Sequence, residues 1–181
     1  MDIKLVCFDL DGTINDGWNL LPALKNKLIS LKNKGVKLAI ITGRETVGTL
    51  YFVYRAGFPF DFIGCGGGPI ISSPLGKQEI LELFEGHTVD IITKRGLSKT
   101  ERFLKVVSMC GLTQEETLFI DDNNNKTLDP QEVSLKTKCM LATPLTNNQE
   151  WLSVINSRNG IISNKPCGVG TLEILNKVFI D

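Results

Sequence analysis

The residues best suited to chemistry are carboxylates and hydroxyls placed just after short apolar runs. Asp9 and Asp11 follow the run ending at Phe8, Thr42, Gly43 and Arg44 follow the run ending at Ile41, and Asp121 and Asp122 follow the run ending at Ile120. Asp9 and Asp11 are two apart, so both side chains project to one side if the chain stays extended there. Two like charges in a partly dehydrated cleft repel and raise one pKa unless a cation lies between them. An all-oxygen, carboxylate-rich site suits magnesium, which binds through one or two carboxylates plus a substrate phosphate. Phosphoryl transfer needs such neutralisation, because its transition state spreads negative charge over the equatorial oxygens. Asp-x-Asp-Gly-Thr also suits a plain capped turn. Its place after a buried run, and the acids and hydroxyls at two other run ends, argue for the chemical reading.

Those groups act together only if the surrounding elements carry them to one edge. Ile3 to Phe8 is a nearly continuous apolar run, as in a strand covered on both faces. Leu21, Leu24, Leu28 and Leu31 then repeat at helical spacing, with Pro22 in the first turn and Gly35 placed to end the helix. Val36 to Ile41 is a second buried strand, completing a β-α-β unit. Val47, Leu50, Tyr51 and Tyr54 mark a helix stopped by Gly57, and Asp61 to Cys65 reads as a third strand running into Gly66, Gly67 and Gly68. That glycine run reads as a flexible loop at a strand end rather than a phosphate contact. Residues 69–84 read as a hairpin turning at Pro74 to Lys77. Ser98 followed three residues later by Glu101 predicts a capping box opening a helix to Gly111. Thr117 to Ile120 and Lys138 to Ala142 are further strands, and Gly170 to Phe179 a closing helix with Leu172, Leu175 and Phe179 on one face. Alternating strands and helices predict an α/β fold, a doubly wound, mostly parallel Rossmann-like sheet, in one domain over residues 1–181. In such a sheet the ligand site lies outside the carboxyl ends of the strands, where the acids fall.

Composition narrows the partners. Lys plus Arg and Asp plus Glu each number 20, so no broad basic surface calls for nucleic acid or anionic lipid. Cys7, Cys65, Cys110, Cys139 and Cys167 lie far apart, without a CxxC pair, and mostly in apolar runs; they read as free buried thiols in a reducing compartment. No stretch approaches the roughly 18 to 20 apolar residues of a membrane span, and the start reads as too short an apolar run for a signal peptide. The expectation is a cytoplasmic protein with a small phosphorylated partner.

The motifs resemble those of the haloacid dehalogenase-like phosphatase superfamily over nearly the whole chain. VCFDLDGT matches the first motif in full, LAIIT the second at Thr42, and TLFIDDNNNK the fourth. The third, a lysine near a helix start, is best met by Lys99 in GLSKTERFL, with Lys94 and Arg95 as nearby competitors. Within the superfamily the chain is similar to the Cof-type sugar-phosphate phosphatases, through IGCGGGPIIS, GLSK and CGVGTLEIL. The resemblance implies that Asp9 is the nucleophile, forming an aspartyl-phosphate, and that Asp11 protonates the leaving oxygen and later deprotonates water. It implies Mg2+ held by the Asp9 carboxylate, the Asp11 carbonyl and an acid of the fourth motif, Asp122 when aligned on the strand. Thr42 and Lys99 would hold the phosphoryl oxygens, with Leu10, Asp11 and Gly43 completing the cradle. A helix N-terminus and an ammonium together favour an anion, which supports Lys99 physically.

The chain departs from the pattern in three places. Where a distal acid follows the fourth motif it has Lys126, or Asn125 if Asp121 is the ligand instead; either metal affinity is then weaker, or Asn123, Asn125 or Asp129 supports the ligands from behind. The glycine turn lacks the subgroup's usual asparagine. Between Thr42 and Lys99 the helix, strand and hairpin leave no room for a full cap, so either a homo-oligomer or an open cleft is expected, with the hairpin as lid or subunit contact. His87 reads as a loop residue, and Trp18 as either a site-flanking or a helix-packing aromatic. The function expected is a phosphatase of a small metabolite such as a sugar phosphate; the alternatives are a catalytically weak or silent binding module and a phosphatase of a macromolecular substrate.

Overall fold

The computed structural model describes residues 2–66, 70–72, 96–122, 138–139, 149–157 and 159–180. Strand β1 (Leu5–Phe8) is wholly buried, as its unbroken apolar run requires of a central strand. A small antiparallel pair, β2 (Asn15–Asp16) and β3 (Asn19–Leu20), follows, then helix α1 (Pro22–Asn33), which buries Leu24, Leu28 and Leu31. Pro22 occupies the first turn, where its missing N–H costs nothing, and Gly35 turns the chain at φ 84°. Strand β4 (Lys37–Glu45) leads into α2 (Thr46–Ala56), which Gly57 closes in the left-handed conformation. Then come β5 (Phe62–Gly66), β6 (Ile70–Ser72), α3 (Lys99–Met109), β7 (Thr117–Ile120), β8 (Lys138–Cys139), α4 (Gln149–Ser157) and α5 (Cys167–Val178).

The main sheet has the order β6-β5-β4-β1-β7-β8, parallel except for β6 against β5. The chain winds outward from β1 through β4 and β5, then returns to the other side of β1 with β7. The winding therefore reverses beside β1, the switch point at which open α/β sheets place their ligands. In register, Phe8 lies beside both Ile40 and Ile120, so Asp9, Thr42 and Asp121 emerge along one edge.

One continuous core joins β1, β4, β5 and β7 to the four longest helices, with Phe8, Phe52, Phe60, Phe103 and Phe119 fully buried. Two helix faces differ from the spacing. In α2, Val47 and Tyr51 are exposed while Thr49, Leu50, Phe52, Val53 and Ala56 are buried. That helix is apolar almost all round, so periodicity alone does not choose its face. In α5 the buried face is Gly168, Gly170, Thr171, Ile174 and Leu175, with Leu172 half-buried. A Cβ added at Gly168 would lie 3.4 Å from Leu21 Cβ, so this glycine lets α5 pack closely on the start of α1. The hairpin turn at Pro74 to Lys77, Gly67, Gly68, His87, Lys94, Arg95 and Asn123 to Asp129 lie outside the described residues. Gly66 belongs to β5, and a Cβ there would stand 1.9 Å from the Gly43 carbonyl oxygen. Its lack of a side chain serves close packing of β5 on β4. Among the described residues no helix is long and apolar enough to cross a membrane.

Candidate active site

The first group to leave β1 is Asp9, whose backbone N–H still donates to the Ile120 carbonyl at 2.9 Å. Beyond it the chain stops being extended. The Leu10 carbonyl accepts from the N–H groups of Ile14 at 3.1 Å and Asn15 at 2.9 Å, and Gly12 adopts φ 78°. Asp9 and Asp11 consequently meet different neighbours, although they are two residues apart.

Asp9, Asp121 and Asp122 converge. Each offers a carboxylate oxygen, all within 4.8 Å of one another, and all three residues are buried. Lys99, in the first turn of α3, reaches this cluster with Nζ 2.8 Å from Asp9 Oδ1 and 2.5 Å from Asp121 Oδ2. Ser98 and Glu101 form the reciprocal capping box that fixes that turn: Ser98 Oγ accepts from the Glu101 N–H at 3.1 Å, and Glu101 Oε2 from the Ser98 N–H at 2.7 Å. Among the described residues, Lys99 is the ammonium in contact with these buried acids.

The electrostatics follow from burial. Dehydration pushes the Asp9 carboxyl up to about 6; Lys99 pulls it down, Asp121 pushes it up, and the Leu10 N–H donates to it. Burial also disfavours the Lys99 ammonium, but the Asp121 and then the Asp9 carboxylates outweigh it and hold its pKa above the ordinary lysine value. A divalent cation would add positive charge beside the three carboxylates. The donors are hard carboxylate oxygens, the set magnesium takes, with no soft ligand among the three. The Asp122 carboxylate lies against Gly12, where an added Cβ would stand 2.4 Å from Oδ2. Glycine is needed there for both the positive φ and the close approach.

Asp11 stands at the mouth. Arg44 holds its carboxylate in a two-pronged ion pair, with Nε donating to Oδ2 at 2.9 Å and Nη2 to Oδ1, while Asn15 Nδ2 donates to Oδ1 at 2.9 Å. Arg44 stacks on the Trp18 ring at 4.3 Å, and Trp18 meets Tyr51 edge-on at 5.7 Å between centroids. Trp18 thus flanks the site through β2 and β3, held at φ 73° with its N–H donating to Asn15 Oδ1 at 2.8 Å. Thr42 is buried and its Oγ1 accepts from the Arg44 N–H at 3.2 Å. Gly43 is exposed beside it, and the Leu10 side chain is buried.

The structure therefore gathers Asp9, Lys99, Asp121 and Asp122 and sets Asp11 and Thr42 on the same rim with other partners. Sequence reasoning assigned no role to Arg44, Asn15 or Arg102, whose contacts with the site cross loops and strands. Arg44 carried one available signal, its position two residues beyond Thr42 on the same strand.

Residues 6–83 match the family model described as haloacid dehalogenase-like hydrolase. No curated protein matches the chain. Among solved structures, 3-deoxy-D-manno-octulosonate 8-phosphate phosphatase from Moraxella catarrhalis, in complex with magnesium, phosphate and KDO, is 17% identical with TM-score 0.61, covering 98% of this chain and 86% of that one. The cobalt-bound deoxy-D-mannose-octulosonate 8-phosphate phosphatase from Haemophilus influenzae is 13% identical with TM-score 0.58, covering 98% and 87%. A haloacid dehalogenase-like hydrolase from Bacteroides thetaiotaomicron is 14% identical with TM-score 0.63, covering 98% and 100%. At these identities the likeness is one of fold.

Proposed function

We propose that this chain, whose residues 6–83 match the haloacid dehalogenase-like hydrolase model, is a member of that family and a magnesium-dependent phosphatase of small metabolite phosphates such as sugar phosphates. The observation that carries this reading is the convergence of three buried carboxylates on Lys99 at the switch point of the sheet. Asp9, the Asp11 carbonyl and Asp122 are the groups to hold the metal, since Asp121 serves Lys99 as counter-ion. When bound, magnesium supplies the positive charge that lets a phosphate dianion approach buried carboxylates.

With a carboxyl pushed up to about 6, Asp9 is mostly ionised at neutral pH and able to attack phosphorus. The new bond joins an Asp9 oxygen to phosphorus as the bond to the leaving oxygen breaks, and Asp11 gives that oxygen its proton. Asp11 then takes a proton from the water that hydrolyses the aspartyl-phosphate. Thr42 and Lys99, with the backbone N–H groups of Leu10, Asp11 and Gly43, steady the phosphoryl oxygens. Free thiols and balanced charge support a cytoplasmic setting and a small partner rather than nucleic acid.

One observation favours a second reading. The Arg44 pair and the Asn15 bond hold the Asp11 carboxylate as an acceptor, which opposes proton donation and suits a weak or silent binding module. Hydrolysis of an aryl phosphate with and without magnesium separates the two. The phosphatase reading expects metal-dependent turnover that Asp9→Asn abolishes. No turnover across a panel of phosphate monoesters would support the silent module, and turnover surviving Asp9→Asn would reject the nucleophile.

A further inference from the structure

Arg102 is a charged residue that the chemistry above does not use, although it is buried and lies one helical turn from Lys99. Only 3% of it is exposed, and both acceptors it reaches are backbone carbonyls. Nη2 donates to the Thr42 carbonyl at 3.0 Å, Nη1 donates to the Leu97 carbonyl, and Nε has no hydrogen-bond partner. Among the described residues no carboxylate forms an ion pair with this guanidinium, and a buried charge is costly unless its hydrogen bonds are made. The two hydrogen bonds to carbonyls are what offset that cost.

Those two carbonyls are informative. Thr42 ends the buried part of β4 and presents the hydroxyl at the rim; Leu97 immediately precedes the Ser98 cap and Lys99. Arg102 itself sits in the first turn of α3, its N–H donating to the Ser98 carbonyl at 3.0 Å. One planar side chain thereby ties the start of α3 to the end of β4. The neighbouring strand leaves space for it: at Gly64 an added Cβ would come within 3.4 Å of Arg102 Cδ and 3.1 Å of Ile41 Cδ1.

We propose that Arg102 is a positioning residue that fixes Lys99 relative to Thr42, so that the two groups facing a phosphoryl moiety from different elements keep one spacing. The proposal rests on the phosphatase reading for its role in turnover, and on geometry alone for its role in anion binding. The fork geometry of arginine is required, because lysine supplies one charge but cannot bridge two carbonyls in a fixed plane.

The test compares Arg102→Lys, Arg102→Met and Val106→Ala, the last removing buried side-chain volume from the same helix without touching the tie. Aryl-phosphate kinetics are read beside calorimetric binding of inorganic phosphate in magnesium and thermal melting. Both Arg102 variants are expected to lose about tenfold or more in kcat and to weaken phosphate binding, a misplacement effect. Val106→Ala is expected to lose melting temperature while keeping kcat and phosphate affinity within about twofold of the parent. Wild-type values in Arg102→Lys would overturn the proposal by showing that charge suffices, as would losses that simply track melting temperature across all three variants. If Arg102→Met does not fold, Arg102→Lys still decides. A parent protein without turnover, whose phosphate binding is nonetheless weakened by Arg102→Lys, would sink the phosphatase reading and keep this one.

Discussion

Two acid-base pairings lie on the same rim of the sheet and live in different dielectric worlds. At the ends of β1 and β7, Lys99 and its acids are almost fully enclosed, with side-chain exposures of 4%, 8% and 1% for Lys99, Asp9 and Asp121. At the mouth, the Arg44 and Asp11 side chains are 19% and 47% exposed, and an aromatic ring covers the guanidinium. Water can replace either partner at the mouth but neither partner inside. On the proposed function, the inner group would hold fixed charge for a metal and phosphate, whereas the outer pair would be exchanged when substrate arrives.

Breaking the inner pairing gives the largest effect expected. Lys99→Met removes the ammonium that Asp9 and Asp121 share and, on the proposed function, should lower kcat/KM by about a thousandfold or more, since a donor aimed at transition-state charge is lost. Its metal-free form should also be destabilised by about 3 kcal/mol or more, read by urea unfolding. Next comes Gly12→Ala, which places a methyl against the Asp122 carboxylate and strains a positive φ. A drop of about 10- to 100-fold in magnesium affinity is expected, read from the metal dependence of turnover.

A smaller effect sharpens the contrast by pH. Asp9 binds its proton more tightly folded than unfolded, so its contribution to the stability of metal-free protein is complete below the ordinary carboxylate range and is lost as pH rises through about 6. Metal-free Asp9→Asn should melt a few degrees above the parent at pH 8, with the gap narrowing by pH 5. An unchanging gap would mean that burial does not dominate at Asp9. Smallest is the effect of Arg44→Ala on folding, within about 1 kcal/mol for a pair this open to solvent. A loss as large as that of Lys99→Met would erase the distinction between the two regions.

The difference between the regions also explains what the sequence revealed. The inner group was legible because each member follows a buried apolar strand or a helix cap: Asp9 after LVCF, Asp121 and Asp122 after TLFI, and Lys99 inside the Ser98 to Glu101 box. The doubly wound, mostly parallel sheet followed from the alternation of runs and helices. The mouth was not legible, because Asp11 meets Arg44 across 33 residues and only after Gly12 has turned the chain out of its strand. The strands β2 and β3, two residues each, carry no alternation to read. Nothing in its own segment marks Arg102; its burial depends on the space left by Gly64 on another element. The buried face of α2 escaped for a different reason, an excess of apolar residues.

Calorimetric titration of Mg2+ into the metal-free protein and into Asp122→Asn at pH 7 tests the central claim most directly. The carboxylate cluster predicts one site per chain in the parent, weakened about tenfold or more by the substitution. Equal binding by both proteins, or none by the parent, would contradict it.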